Sequence, residues 1–427
     1  MHKQLKIALI GVGVVGSSVA KILENNKEII TARTGVEIVV KKGVVKNLNK
    51  PRTINIPLTD NPDDVLYDNE IDVIVELMGG VQEAYQIAKI ALEQNKAFVT
   101  ANKAMLAYYR YELAKAAHTP IGFEASVCGG IPIIKALKEG LSANHILAIR
   151  GILNGTSNYI LTKMTQEGWD FTQALKSAQE LGYAEADPTL DINGMDAAHK
   201  LLILASIAYG IDSYPQDILI EGITNLTYED IEFAREFGFC IKLLGIAKKR
   251  DDAIELRIHP TMINENNLVA KVDGVMNAVS VVGDCVGESV YYGAGAGGDA
   301  TASSVISDLI QIARNDTQNS AKLMLGFTSK QSRTIVPKDQ IISKYYMRIL
   351  ADDKPGVLEK IAATLSHNNI SISAFLQKPS HTHKECAKIL LSTHITYEYA
   401  IQNALSQIQA LEVVRTKPAI IRIEDEI

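Results

Sequence analysis

The residues of this chain with the clearest chemical use begin near its N-terminus, where Gly11-Val12-Gly13-Val14-Val15-Gly16 sets three glycines at G-x-G-x-x-G spacing. An apolar run, LKIALI over residues 5–10, ends at Gly11, and an apolar-periodic segment over 14–30 follows, which predicts strand, turn and helix. In that context Gly11 permits the tight turn, Gly13 leaves room for a pyrophosphate against the backbone, and Gly16 lets the helix pack close to its strand. The phosphates would meet unpaired N–H groups at the positive end of the helix. An ordinary glycine turn is the competing reading, and the further βα units downstream favour a dinucleotide. The second strand, 37–45, ends at Lys46-Asn47, where an acidic residue would serve a ribose diol and a basic one a 2′-phosphate. Lys46 therefore favours NADPH, with use of NADH left open.

Two further clusters carry charge. Thr100-Ala101-Asn102-Lys103 closes a strand at the carboxyl edge of a parallel sheet, the edge at which open α/β folds bind ligands. Residues 181–200 then concentrate Glu185, Asp187, Asp191, Asp196 and Lys200. Pro188 and Gly194 predict loop for the first acids, while Asp196 and Lys200, at i and i+4, share a helix face. A lysine among carboxylates can protonate a developing alkoxide, and carboxylates can receive a substrate ammonium group. For Asp196 and Lys200 taken alone, a solvated ion pair of little energy is the simpler reading. His199 has no second His or Cys at metal spacing and reads as core or surface.

These residues need a scaffold, and the apolar runs supply one. Runs over 37–45, 71–77 and 97–100 alternate with a helix-like segment over 82–94, which predicts βαβ crossovers and a parallel sheet over residues 1–130. From 131 to 316 longer helices, such as 133–141 and 171–181, mix with alternating strands such as 253–258, an α+β layer. Residues 317–344 read as a polar connection. Residues 345–427 then read strand 345–350, helix 357–367, strands 370–375 and 387–393, helix 397–408 and strand 419–423, a ferredoxin-like βαββαβ domain.

Composition excludes several classes. Lys and Arg number 43 against 49 Asp and Glu, a net charge of −6 that supplies no cationic field for nucleic acid. Four widely spaced cysteines form neither a disulfide framework nor a zinc site. No apolar run reaches the ~18 residues of a membrane span, and the N-terminus has no signal core, so the chain is expected in the cytoplasm with no membrane partner.

Taken together, the motifs GVGVVG, TANK, FEASVCGGIP (123–132), GILNGTSNYIL (151–161), LGYAEADPTLDINGMDAAHK (181–200) and GAGAGG (293–298) resemble the homoserine dehydrogenase family over the whole chain. The resemblance implies reduction of aspartate 4-semialdehyde to homoserine by NAD(P)H, on the route to threonine and methionine. It implies a Rossmann-type domain over 1–130, a substrate-binding, catalytic and dimerisation domain over 131–316, and a homo-oligomer, dimer or tetramer. By resemblance Lys200 is the proton donor, Lys103 lies beside nicotinamide and substrate, and Glu185, Asp191, Asp196 and Thr156 of the NGTSNY turn seat the amino acid. Gly11 to Gly16, Lys46, Thr100, Lys103, Gly182 and Gly297 fall at coenzyme positions. A monovalent cation, sodium, is implied at the Glu124 carboxylate with the carbonyls of Val127, Gly129 and Ile131. Lys46-Asn47 departs from the Arg-Asp often found there, which weakens the case for NAD.

Residues 348–358, RILADDKPGVL, resemble the strand, loop and helix of ACT domains, which implies amino-acid regulation at 345–427, with threonine as effector. Pro355 and Gly356 would open a helix N-terminus to a carboxylate, with Asn368 and Asn369 for an ammonium group. A domain that only assembles the oligomer is the alternative. Two rival functions remain: an aldehyde dehydrogenase using Cys128 as a thioester-forming nucleophile, and a non-catalytic amino-acid sensor, against which the retention of Lys103 and Lys200 argues.

Overall fold

The apolar runs of the first 130 residues become the strands of a parallel sheet. In chain order they are β1 (Lys3–Ile10), α1 (Val14–Asn25), α2 (Lys27–Thr34), β2 (Val36–Val44), β3 (Leu58–Thr59), α3 (Asp63–Leu66), β4 (Val73–Glu76), α4 (Gln82–Glu93), β5 (Ala97–Thr100), α5 (Lys103–Ala116) and β6 (Ile121–Gly122). The sheet order is β3-β2-β1-β4-β5-β6, and every neighbour is parallel. β4 and β5 are buried at every position, as strands covered on both faces must be. Register sets Ile10 beside Glu76 and Glu76 beside Thr100, so the carboxyl ends of three strands lie level.

This computed structural model describes residues 3–314, 323–379 and 385–424. They divide into two units: Met1–Gly155, Asp196–Pro215 and Val275–Thr334 form one, and Thr156–Met195, Gln216–Gly274 and Ile335–Ile427 the other. These units cut across the linear segments expected from sequence, since parts of 131–316 fall in each. Residues 317–322 of the expected linker lie outside the described residues, and the next strand, Ile342–Asp352, already begins within it.

In the first unit the expected helix over 14–30 is two helices. Asn26 breaks it, leaving the helical region at φ −106°, ψ 16°, because consecutive asparagines favour local turns over a continuing helix. The expected helix over 133–141 is one α turn, Ile133–Lys135, followed by a π turn over Ala136–Gly140. Three antiparallel strands, Gly287–Ala294, Met276–Gly283 and Ile146–Ile152, join this unit, and Met195–Tyr209 is buried along nearly its whole length. Helix Gly298–Ala313 places Val305 and Leu309 in one core with Val19 and Leu23 of α1 and Ile7 and Leu9 of β1, each fully buried side chain contributing about 1.5–3 kcal/mol.

In the second unit the C-terminal stretch has the expected βαββαβ order: Ile342–Asp352, Val357–His367, Ile372–Pro379, Cys386–Thr393, Glu398–Gln409 and Ala419–Glu424. The last strand pairs with the first, the first with the fourth element's strand Cys386–Thr393, and that with Ile372–Pro379, all antiparallel. Tyr345, Met347 and Ile349 meet Ile361, Leu365, Ile401 and Ile408 of the two helices in a separate core. The long hairpin Phe239–Arg250 and Ala253–Asn264 extends this sheet, Ala253–Asn264 pairing in parallel with Ala419–Glu424.

Arg422, fully buried on that last strand, is held by both oxygens of Glu221 (2.8 Å each) and by Glu398, whose Oε2 accepts from Nε at 2.9 Å and Oε1 from Nη2 at 2.6 Å. Burial alone would raise the Glu398 carboxyl, but the hydrogen bonds and charge of Arg422 bring it below its ordinary value. A depressed carboxyl adds stability that is present above its unfolded pKa and lost as pH falls through the folded one. Glu398→Gln is therefore expected to lose about 1.5–3 kcal/mol at pH 7, with the difference from wild type holding down to about the ordinary carboxyl range and shrinking only as pH falls below it towards the depressed folded value, read from urea midpoints across that range.

Candidate active site

The glycine turn is built as its spacing requires. Gly11 has φ +100°, its N–H donates to Val44 O (3.0 Å), and a Cβ there would stand 2.6 Å from Leu77 O. A Cβ on Gly16 would stand 2.3 Å from Gly11 O, so the helix start and the turn touch, whereas Gly13 faces open space with no atom within 4 Å of an added Cβ. That space is a cavity of about 460 Å³ between the Ile10–Gly13 turn, the end of β2 and Met78-Gly79. Lys46 lines it as expected.

Lys50 and Arg52 line it too. Arg52 donates Nε to Val12 O (3.3 Å) and Nη1 to Asn47 O (3.1 Å) and Lys50 O (2.9 Å), so the loop after β2 folds back over the glycine turn. Sequence reasoning stopped at Lys46; the signal it passed over was the two further cations in KNLNKPR. On the other side, Gly297 (φ +119°) precedes helix Gly298–Ala313, and a Cβ on Gly298 would stand 2.7 Å from Ser18 Oγ of α1, so this second helix start is pressed against the first.

The first unit also assembles the lysines. Asn102 caps α5, its Oδ1 accepting from Met105 N at 2.9 Å, and this starts the helix at Lys103. Lys103 Nζ lies 2.9 Å from Asp196 Oδ1, and Lys200 Nζ lies 2.8 Å from Asp196 Oδ2 while donating to Leu153 O at 2.6 Å. Asn154 Nδ2 also donates to Asp196 Oδ2 (2.8 Å). Asp196 and Lys200 are buried, and the Lys103 side chain is 41% exposed, so this is no solvated surface pair. Burial by itself would raise the Asp196 carboxyl; the charges of Lys200 and Lys103 and the hydrogen bonds from Lys200 and Asn154 outweigh it and hold the group well below the usual carboxylate range. His199 is core: it is buried, its ring stands edge-on to Tyr108 (5.8 Å), and burial lowers its pKa.

Thr100 has no exposure. Its hydroxyl donates to Glu76 Oε2 (2.6 Å) and accepts from Asn102 N (2.9 Å), so its side chain shapes the turn before Lys103. Cys128 is buried at φ +54°, and burial pushes its thiol up, which is the opposite of an activated nucleophile. The thioester reading has no support here.

Glu124 is buried, and its two carboxylate oxygens accept from Ile134 N and Lys135 N (2.9 Å each), capping the short helix. Its own N–H donates to Asp308 Oδ2 (2.9 Å), and burial, then the Asp308 charge, pushes the Glu124 carboxyl up to about 7. Between them and the helix, Cys128 and Gly129 both take positive φ; Gly129 O accepts from Ser304 Oγ (2.6 Å) and Ile131 O from Ile133 N (2.8 Å). Among the described residues no three His, Cys, Asp or Glu side chains gather as metal ligands.

The remaining expected residues lie in the second unit. Thr156 stands in the first turn of helix Gly155–Glu167 and donates to Tyr183 O (2.6 Å), and Ser157 donates to Asp191 O (2.8 Å), which ties the acidic segment to that helix. Asp191 sits in a helical turn, Thr189–Ile192, not in the expected loop, because Pro188 initiates a turn as readily as it ends one. Glu185 is exposed beside Gly182 (φ +74°).

A doubly wound sheet with an open glycine turn, and a buried lysine–aspartate–lysine cluster in the same unit, define a nicotinamide-dependent oxidoreductase. The homoserine dehydrogenase family matches residues 132–310, its NAD binding domain residues 11–120, and the ACT domain family residues 345–413. The chain is 57% identical over 426 residues to a homoserine dehydrogenase of Helicobacter pylori, covering 100% of each, and 45% identical to one of Neisseria gonorrhoeae, covering 99% of each. Its fold is similar to the crystal structure of a homoserine dehydrogenase from Thiobacillus denitrificans (TM-score 0.94, 45% identity, all of both chains). The chain belongs to the homoserine dehydrogenase family, NAD(P)-dependent oxidoreductases, and carries a C-terminal ACT domain. Among the described residues no helix is long and apolar enough to cross a membrane.

Proposed function

We propose that the Lys103–Asp196–Lys200 cluster is where the aldehyde oxygen of aspartate 4-semialdehyde is received and protonated, with Lys200 as the proton donor. The bound nicotinamide supplies the hydride to the carbonyl carbon. The observation that carries this reading is that one buried carboxylate fixes both ammonium groups, 2.8–2.9 Å away, so they are oriented before any negative charge develops on oxygen. Glu185, Asp191 and Thr156 hold the amino-acid end, and Gly182 and Gly297 leave room for the coenzyme.

Lys46, Lys50 and Arg52 around one cavity support NADPH over NADH, since three cations there would receive a 2′-phosphate. A sodium ion at Glu124 with the carbonyls of Val127, Gly129 and Ile131 fits a buried carboxylate whose neighbour is a second carboxylate. Each Glu124 oxygen, already accepting one N–H, retains a lone pair. The ion would serve the loop's shape, and no proton or hydride passes through it. The functional segments proposed are 1–130 for coenzyme, 131–316 for substrate and dimerisation, 317–344 as linker and 345–427 for regulation by threonine. A homo-oligomer in the cytoplasm is the setting this reading assigns, in keeping with four unpaired thiols and the prevalence of symmetric assemblies.

Lys200→Ala is expected to lower turnover about a hundredfold or more while NADPH affinity changes little, because a proton donor acts in the transition state; near wild-type turnover would reduce Lys200 to an ion-pair partner. Lys46→Ala, at a cation lining the cavity, should lower kcat/KM for NADPH and leave that for NADH nearly unchanged, and equal losses with both coenzymes would remove the 2′-phosphate assignment. Threonine should inhibit the intact chain, and Gly356→Ala, strained at φ +87° in the loop before the ACT helix, should weaken inhibition without changing uninhibited turnover. No inhibition of the wild type by threonine would leave that domain an assembly element.

A further inference from the structure

The carboxyl ends of β4 and β5 hold a buried acid that the reaction as described does not use. Glu76, with no exposure, ends β4 and lies in register with Thr100 of β5. Its two oxygens serve two different segments. Oε1 accepts from Met78 N (2.8 Å), setting the turn into Met78-Gly79, which lines the coenzyme cavity. Oε2 accepts from the Thr100 hydroxyl (2.6 Å), which in turn accepts from Asn102 N (2.9 Å). Asn102 then does two things: its Nδ2 donates to Gly80 O (2.6 Å), returning to the coenzyme-side loop, and its Oδ1 caps the helix that begins at Lys103.

We propose that Glu76 is a positioning residue that joins the coenzyme-side loop at residues 77–80 to the turn that presents Lys103 to Asp196. The inference rests on the reading of Lys103 as a substrate-facing group. The links are hydrogen bonds of 2.6–2.9 Å, and the Asn102 amide lies near both the Glu76 carboxyl and Met78 O (3.5 Å), so the two segments are tied by more than one contact and displacement at one end is passed to the other. The groups facing Glu76 are the Thr100 hydroxyl, the Asn102 amide and the Met78 backbone, all uncharged, and burial raises its carboxyl to about 7 against their hydrogen bonds. Both immediate partners are donors. The ionised form satisfies them together; on protonation the Oε2–H must itself donate, and the Thr100 hydroxyl has to turn away.

The test uses the full-length enzyme and four variants: Glu76→Gln, Glu76→Ala, Lys103→Ala and the double variant Glu76→Gln/Lys103→Ala. A misplacement of about 1 Å at a reacting group costs on the order of a hundredfold in rate, so Glu76→Ala should lower kcat by about ten- to a hundredfold and Glu76→Gln by less, with NADPH affinity, read by fluorescence titration, weakened several-fold in both. In the Lys103→Ala background Glu76→Gln should cause no further loss of kcat, while still weakening NADPH. Wild-type kcat/KM should rise with pH through about 7, and that limb should vanish in Glu76→Gln. Should Glu76→Ala fail to fold, the Glu76→Gln pH profile and double variant decide alone. Normal kcat in Glu76→Gln beside a defective Lys103→Ala, or additive losses in the double variant, overturns the inference by itself. Full turnover in Lys103→Ala overturns the reading of Lys103 instead, and the inference with it.

Discussion

One buried carboxylate shared by two ammonium groups governs the site. Asp196 lies at the start of a helix whose walls are apolar, and a lone charge there would cost several kcal/mol in lost hydration. With Lys200 from its own helix and Lys103 from the end of a sheet strand, the cost is offset twice, and the cluster retains a net positive charge. Three elements that meet nowhere in sequence are thereby fixed together: the strand end at Thr100, the loop at Leu153-Asn154 and the helix Met195–Tyr209. A surplus positive charge anchored on a buried carboxylate is what a forming alkoxide needs.

How much of this could be read from sequence depends on distance along the chain. The glycine turn was legible because strand, turn and helix are local and each glycine meets a distinct steric demand within a few residues of itself. Gly11 against Leu77 shows where that ends, since the close approach comes from the residue that follows β4, more than sixty positions away. The Asp196–Lys200 face followed from helical periodicity, but its burial, which converts a weak surface pair into a charged centre, did not. Glu76 had no signal at all: one acid closing an apolar run looks like a solvated strand end until the register sets it beside Thr100.

The C-terminal domain shows the same division. Its element order was legible from alternating apolar runs with a Pro-Gly turn between the first strand and helix. Its attachment was not, because Arg422 is paired with Glu221, two hundred residues earlier, as well as with Glu398. A second tie is also remote: Asp230 caps its own helix while accepting from the Tyr346 hydroxyl (3.0 Å) and Arg348 Nε (2.7 Å) of the first strand of this domain. That strand and the helix Tyr228–Glu236 are therefore joined at one buried carboxylate, by a phenol and a guanidinium.

The parallel pairing of Ala253–Asn264 with Ala419–Glu424 has a consequence for how locally the sheet can open. The strand Ala253–Asn264 is buried along most of its length, yet the edge facing away from its hairpin partner is shared between remote segments, Leu219–Ile220 at Arg257 and Ile258 and Ala419–Glu424 at Thr261 to Ile263. Wherever one of them is absent the strand presents unpaired N–H and C=O groups beside an apolar face, the arrangement most prone to recruiting a strand from another chain. Lifting of either segment therefore exposes a ladder that the other cannot cover, and hydrogen exchange along Ala253–Asn264 should report on two remote parts of the chain at once.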